Sequence, residues 1–143
     1  MNWTIAQTED LAACHALRRT VFIEEQGVSE AEEVDGRDGD ALHVLATLDG
    51  VPVGCARILI DGAVAKIGRV CVLKSARGTG LGAAIIETCL DVARRNKALT
   101  RAKLGAQTHA LAFYERLGFV AFGPVYDDAG IPHRDMERPL NAG

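Results

Sequence analysis

The stretch Arg77-Gly78-Thr79-Gly80-Leu81-Gly82 constrains the fold of this chain more than any other. It lies between an apolar run ending at Leu73 and a segment where Leu81, Ile85, Cys89 and Val92 recur at helical spacing. Ile86, Leu90 and Ala93 widen that apolar face, so the helix from about 80 to 96 is expected to be well buried. A strand, a glycine turn and a buried helix must therefore follow one another. Glycines let backbone N–H groups approach a ligand closely. A helix start adds unpaired N–H groups and the positive end of its dipole. With the fixed charge of Arg77, the segment is a physical design for a diphosphate.

Two nucleotide readings fit less well. A P-loop needs Gly-Lys-Ser/Thr, and Gly82-Ala83-Ala84 stands there instead. Gly78-x-Gly80-x-x-Ala83 satisfies a permissive dinucleotide fingerprint, but the next strand, Arg101 to Gly105, ends without an acidic ribose ligand. A strand-to-helix turn with no ligand is the plainer alternative.

The other elements surround this core. Trp3-Thr4-Ile5 is expected to be a short strand, and Thr8 to cap a helix carrying the stripe Leu11, Cys14, Leu17 and Val21. That helix should end near Glu25, before Gly27, and residues 27 to 41 read as an acidic loop. His43 to Leu48, Val51 to Ile60 and Ala63 to Leu73, separated by Asp49-Gly50 and Asp61-Gly62, form an antiparallel meander. A short helix from Ala110 to Leu117 closes at Gly118. Phe119 to Val125 and His133 to Arg138 are final strands joined by an Asp128-Ala129-Gly130 turn. No internal repeat or linker interrupts the chain, so residues 1–143 are expected to form one domain.

Composition narrows the partners. A net charge of -3 and only the short basic pairs Arg18-Arg19 and Arg94-Arg95, expected on solvated helix faces, argue against nucleic acid. No apolar run reaches membrane-span length, and the start does not resemble a signal peptide. Cys14, Cys55, Cys71 and Cys89 lack metal-ligand spacing, so no metal is expected, and reduced, buried thiols in a cytoplasmic protein are the better reading.

The order of elements, with Arg77-x-x-Gly80-x-Gly82, resembles the GNAT superfamily of acetyl-CoA-dependent N-acetyltransferases. Ala112-Phe113-Tyr114-Glu115-Arg116-Leu117-Gly118-Phe119 is similar to that superfamily's tyrosine-bearing helix and following strand. Val21 to Val28, Leu104 to His109 and Gly130-Ile131-Pro132-His133 look like its ElaA/YjcF-like branch. The resemblance implies an α/β (α+β) fold with a mixed, mostly antiparallel twisted sheet flanked by helices. It implies that Arg77, Gly78, Thr79, Gly80, Leu81 and Gly82 hold the CoA pyrophosphate. Val70, Cys71 and Val72 would bond the pantetheine arm, which enters a gap between splayed strands, and Gln107 would lie near the cofactor.

The activity so implied is direct attack of a primary amine on acetyl-CoA in a ternary complex. A small-molecule acceptor is preferred, and a homodimer is one assembly open to such a chain. Backbone N–H near Val72 would serve the oxyanion, and Tyr114 would protonate the leaving thiolate. The base is open. Relatives supply a glutamate from the strand before the loop, but Lys66 to Val72 contains no carboxylate. Glu24, Glu25, Glu33, His43, His109 and His133 are the candidates for the base or the acceptor side. Each also has a structural reading: Glu24 and Glu25 at an exposed helix end, His43 starting a strand, His109 capping the short helix. Asp35, Asp38 and Asp40 could attract a cationic amine or simply form a solvated charge run. A CoA-binding or sensing module without turnover is the alternative function.

Overall fold

A computed structural model describes residues 3–141. Seven strands make one sheet in the order β1-β2-β3-β4-β5-β7-β6. They span Trp3–Thr8 (β1), Leu42–Leu48 (β2), Val51–Asp61 (β3), Val64–Val72 (β4), Arg101–Gln107 (β5), Val120–Asp128 (β6) and Ile131–Pro139 (β7). Every neighbouring pair is antiparallel except β4 and β5.

The hairpin signals act locally. Asp49 and Gly50 both take positive φ (50° and 83°), the geometry of a tight two-residue turn that follows strand twist. Ala129 and Gly130 do the same between β6 and β7. The β3–β4 turn falls on Gly62 and Ala63, one residue later than expected, because β3 runs on through Asp61.

Helices cover both faces. Leu81–Arg94 (α3) buries Leu81, Ile85, Ile86, Cys89 and Leu90 against Val44, Ala56 and Ile58. Leu111–Glu115 (α4) lies in the same layer, with Phe113 and Tyr114 packed on that core. The opposite face carries Leu11–Arg18 (α1), whose Cys14 and Leu17 meet Cys55 and Cys71. Alternation along β3 sends Ala56 and Ile58 to one layer and Cys55 and Arg57 to the other.

Several boundaries differ from expectation. β1 continues through Thr8, and Asp10 is the α1 cap, its carboxylate accepting the Ala13 N–H at 3.1 Å. Thr8 instead accepts the Asp10 N–H, a turn-forming use of the same hydroxyl. After α1 the chain widens into a π-helix, Arg19–Glu25, with Gln26 N–H bonded to Val21 O, and ends at Gly27 (φ 73°). The acidic loop holds a helical turn, Glu30–Glu33 (α2), begun by a serine N-cap in which the Ser29 Oγ accepts the Glu32 N–H and donates to Glu32 Oε1.

Candidate active site

The cleft starts where the sheet fails to stay paired. β4 and β5 are in register only from Val64↔Arg101 to Lys66↔Lys103, and then diverge. Two features of β4 cause this. Arg69 and Val70 stand against Ala56 alone, a bulge that bends the strand, and Arg69 takes the left-handed φ of 49°. The resulting cleft encloses about 710 Å³. Val70, Cys71, Val72 and Arg77 line one side, and Leu104, Gln107, His109 and Tyr114 the other. Val21, Phe22, Glu25 and Gln26 of the π-helical turn close it above, with Val28, Glu32 and Glu33 of the acidic loop.

Bonding in β4 alternates. The Leu73 N–H bonds Val53 O, so the polar backbone of Val72 faces away from β3. Its carbonyl accepts from Arg77 Nε at 3.0 Å. The Val72 N–H points the same way, toward the cleft. Cys71, the register partner of Cys55, turns its backbone to β3, and its Sγ lies 3.4 Å from Cys55 Sγ. All four cysteines are free and buried.

The glycine loop enters α3 without a side-chain cap. Gly80 is the N-cap at φ 87°, ψ 0°, and the first bond is Ala84 N–H to Gly80 O. The N–H groups of Leu81, Gly82 and Ala83 are thus left for a ligand. Gly78 (φ 76°) and Gly80 need glycine for their backbone conformation. Gly82 does not, since a Cβ there would meet only Phe113 at ordinary contact, 3.5 Å. Thr79 Oγ1 donates to Ala76 O at 2.6 Å and so fixes the turn. This arrangement fits an anion of pyrophosphate size.

Arg77 differs from the free charge expected from sequence. Both Glu25 oxygens accept from its Nη2 at 2.6 Å. The Arg77 guanidinium holds the Glu25 carboxyl below its ordinary range, and Glu25 raises Arg77.

Tyr114 reaches the cleft from α4, braced edge-to-face by Phe113 (5.0 Å) and Phe119 (6.0 Å). Its hydroxyl has no hydrogen-bond partner among the described residues. Burial, helped by Cys89, pushes it up to about 12, so it remains a proton donor at neutral pH.

The other candidates scatter. Gln107 donates to Gln26 Oε1 (3.3 Å) and accepts from His109 Nε2 (2.7 Å). His133 lines the cleft opposite Gln107 in the β5–β7 register. His43 does not reach it: the ring is buried, with Nε2 on Asp38 O at 3.0 Å. Glu24 sits outside as well, 3.9 Å from Arg19.

Behind the cleft lies a group of charges that residue patterns did not reveal. Arg18, expected on a solvated face, is 1% exposed and forks onto Asp38 at 2.8 and 2.9 Å. Arg57, 5% exposed, forks onto Asp35 at 2.8 Å through both nitrogens. Arg69 donates to Glu33 O (3.1 Å), and Glu33 Oε1 lies between Arg18 Nε and Arg69 Nε at 3.6 and 3.7 Å. Asp35 and Asp38 are therefore neither a solvated run nor a lure for amines, because the protein's own arginines neutralise them. The Arg57 hydrogen bonds bring Asp35 down to about 2. Burial works against ionisation of Asp38, but bonds from Arg18 and His15 overcome it and hold the carboxyl below its ordinary range. Burial and the neighbouring Arg57 lower Arg69. The one available signal was Arg57 itself, a charge within the apolar strand Gly54-Cys55-Ala56-Arg57-Ile58-Leu59.

Residues 7–140 match the family model described as an acetyltransferase (GNAT) domain. The chain belongs to the GNAT acetyltransferase family. It shares 36% identity with the N-acetyltransferase YjcF of Bacillus subtilis, over 95% of this chain and 98% of that one. The crystal structure of Escherichia coli ElaA superposes with a TM-score of 0.83 at 32% identity, covering 96% of this chain and 98% of ElaA. An acyl-CoA N-acyltransferase from Pseudomonas aeruginosa gives 0.82 at 37%, with 96% and 98% covered. This GNAT chain thus sits in the ElaA/YjcF-like branch, and its mixed seven-stranded sheet flanked by helices is a GNAT fold. Among the described residues, no helix is long and apolar enough to cross a membrane.

Proposed function

We propose that this chain transfers an acetyl group from acetyl-CoA to a primary amine, preferably of a small molecule, by direct attack in a ternary complex. The observation that carries this reading is the meeting of three things in one cleft: the β4–β5 gap, the bare N-terminus of α3 and the unpartnered Tyr114 hydroxyl. The pyrophosphate would take the N–H groups from Gly78 to Gly82, with Arg77 swinging from Glu25 to phosphate. The pantetheine amides would extend along β4 at Val70 and Val72, with Gln107 facing them across the gap. The Val72 N–H would meet the thioester oxygen as it becomes anionic. Tyr114 would give its proton to the sulfur as the C–S bond breaks. The acyl-CoA chemistry named for the Pseudomonas aeruginosa relative supports the same donor class. One domain would hold both substrates, and buried free thiols suit a reducing, cytoplasmic setting.

A CoA-sensing module without turnover is the rival reading, favoured by the absence of a carboxylate on β4. An acetyl-CoA-dependent thiol-release screen over primary amines separates the two. Wild type should release CoA with at least one amine, and Tyr114→Phe should cut turnover by roughly 10²-fold or more with acetyl-CoA affinity nearly unchanged. Binding of acetyl-CoA without release for any amine would favour the sensor.

A further inference from the structure

We infer that His133 is the general base that deprotonates the acceptor amine, a role resting on the acetyl-transfer reading above. The case starts from one hydrogen bond. His133 Nδ1 lies 2.7 Å from the carbonyl oxygen of Ile131. A carbonyl can only accept, so Nδ1 carries the proton. The neutral ring then has its lone pair on Nε2, which makes no hydrogen bond among the described residues. The bond also fixes the plane of the ring, which stacks on Tyr126 at 6.0 Å and 24°. Tyr126 is itself fixed, donating to Asp135 Oδ1 at 2.7 Å. The close approach of that hydroxyl to Gly105 leaves no room for a side chain there. A histidine whose tautomer and orientation are both set, and whose basic nitrogen is unused, is arranged to take a proton.

The competing groups are engaged or point elsewhere, with one exception. Glu25 is shared with Arg77 in the free chain, but it is released once Arg77 turns to phosphate, so it is the competitor the test must remove. Glu33 Oε1 is sealed from solvent between two guanidinium groups. His43 is buried away from the cleft. His109 uses its Nε2 on Gln107, and its ring is exposed. The groups facing His133 are Gln107 and His109 from the β5 end, Tyr126 and Asp128 from β6, Asp135 on its own strand, and the Gln26 and Glu25–Arg77 side of the cleft.

Protons balance as follows. His133 Nε2 takes one proton from the ammonium acceptor and releases it to solvent. The freed nitrogen forms the C–N bond to the thioester carbon. Collapse of the adduct breaks C–S, and the sulfur takes its proton from Tyr114. The second proton leaving the amine nitrogen restores the phenol through solvent.

The test uses the whole chain with acetyl-CoA and a panel of benzylamine, tyramine and putrescine, followed as pH profiles of kcat/KM. His133→Gln should lower kcat/KM by about 10²-fold or more at neutral pH and erase the acidic limb, with acetyl-CoA affinity kept within about twofold. His133→Ala should regain activity in proportion to added imidazole. An acidic limb that survives in His133→Gln, or vanishes in Glu25→Gln, His109→Gln or Glu33→Gln instead, overturns the assignment. A uniform loss without imidazole rescue does so too. If wild type binds acetyl-CoA but acetylates none of the panel, the acetyl-transfer reading falls for these amines and the base falls with it.

Discussion

Two walls of the cleft are made of different material. The wall proposed for CoA is mostly backbone: the α3 N-terminus, the Gly78 and Gly80 turns, and the free edge of β4. The segment that closes the cleft above, from the π-helical turn through α2, is the second wall and stands on charged side chains, with Arg18, Arg57 and Arg69 tied to Glu33, Asp35 and Asp38. A backbone wall can recognise a ligand common to many relatives, since phosphate and amide need only N–H and C=O. A wall of ion pairs holds a chain segment that has little apolar surface to bury. α2 contributes only the sequence Glu-Ala-Glu-Glu, so its position depends on those pairs.

The largest effect should come from removing the centre of the charged wall. Arg57→Met leaves Asp35 without its fork and takes one bond from Asp38. Losing these charge-assisted bonds from two partly exposed carboxylates, each of which keeps another arginine, costs about 1.5–3 kcal/mol. Denaturant unfolding should register that loss, and protease should cut first between residues 28 and 41. If stability stays within about 1 kcal/mol of wild type, the pairs are ornamental and the contrast between the walls fails.

The same contrast separates what the sequence made legible from what it hid. The glycine loop, α3, the meander and the tyrosine helix are each written in contiguous residues, because turns, caps and stripes are local. The β4–β5 gap followed only from family resemblance; its physical cause is a bulge whose positive φ falls on Arg69 rather than on a glycine, and Gly68 beside it was the one local hint. The charged wall joins Arg18 to Asp38 and Arg57 to Asp35 across 20 and 22 residues. Composition sees those residues only as a solvated helix face and an acidic loop. Glu25 was visible as an acid near a helix end, but not its bond to Arg77, 52 positions away.

A smaller effect should appear in acid. Asp35 falls to about 2 in the folded chain, below its ordinary value near 3.8. The stability it adds is complete above about pH 4 and is lost as pH falls toward 2. Solvent screening of this partly exposed carboxylate cuts the contribution to about 1 kcal/mol. Asp35→Asn should therefore be less stable than wild type at pH 7, and the two should converge by pH 2 in urea unfolding. A gap that stays constant with pH would mean that the carboxylate's charge is not what holds the loop.

The smallest effect tests the one place where the walls touch. Glu25, on the charged side, holds Arg77, on the backbone side, in a half-exposed pair. Such exposed pairs add little to stability, so Glu25→Gln should barely alter thermal stability. Binding should respond differently. A pyrophosphate seeking Arg77 must displace the carboxylate, and the glutamine competes without charge. Calorimetry should find CoA bound more tightly by Glu25→Gln, by up to about fivefold. Weaker binding would reverse the reading: Glu25 would then be aiming Arg77 at the phosphates, and the backbone wall would depend on the charged one to position that cation.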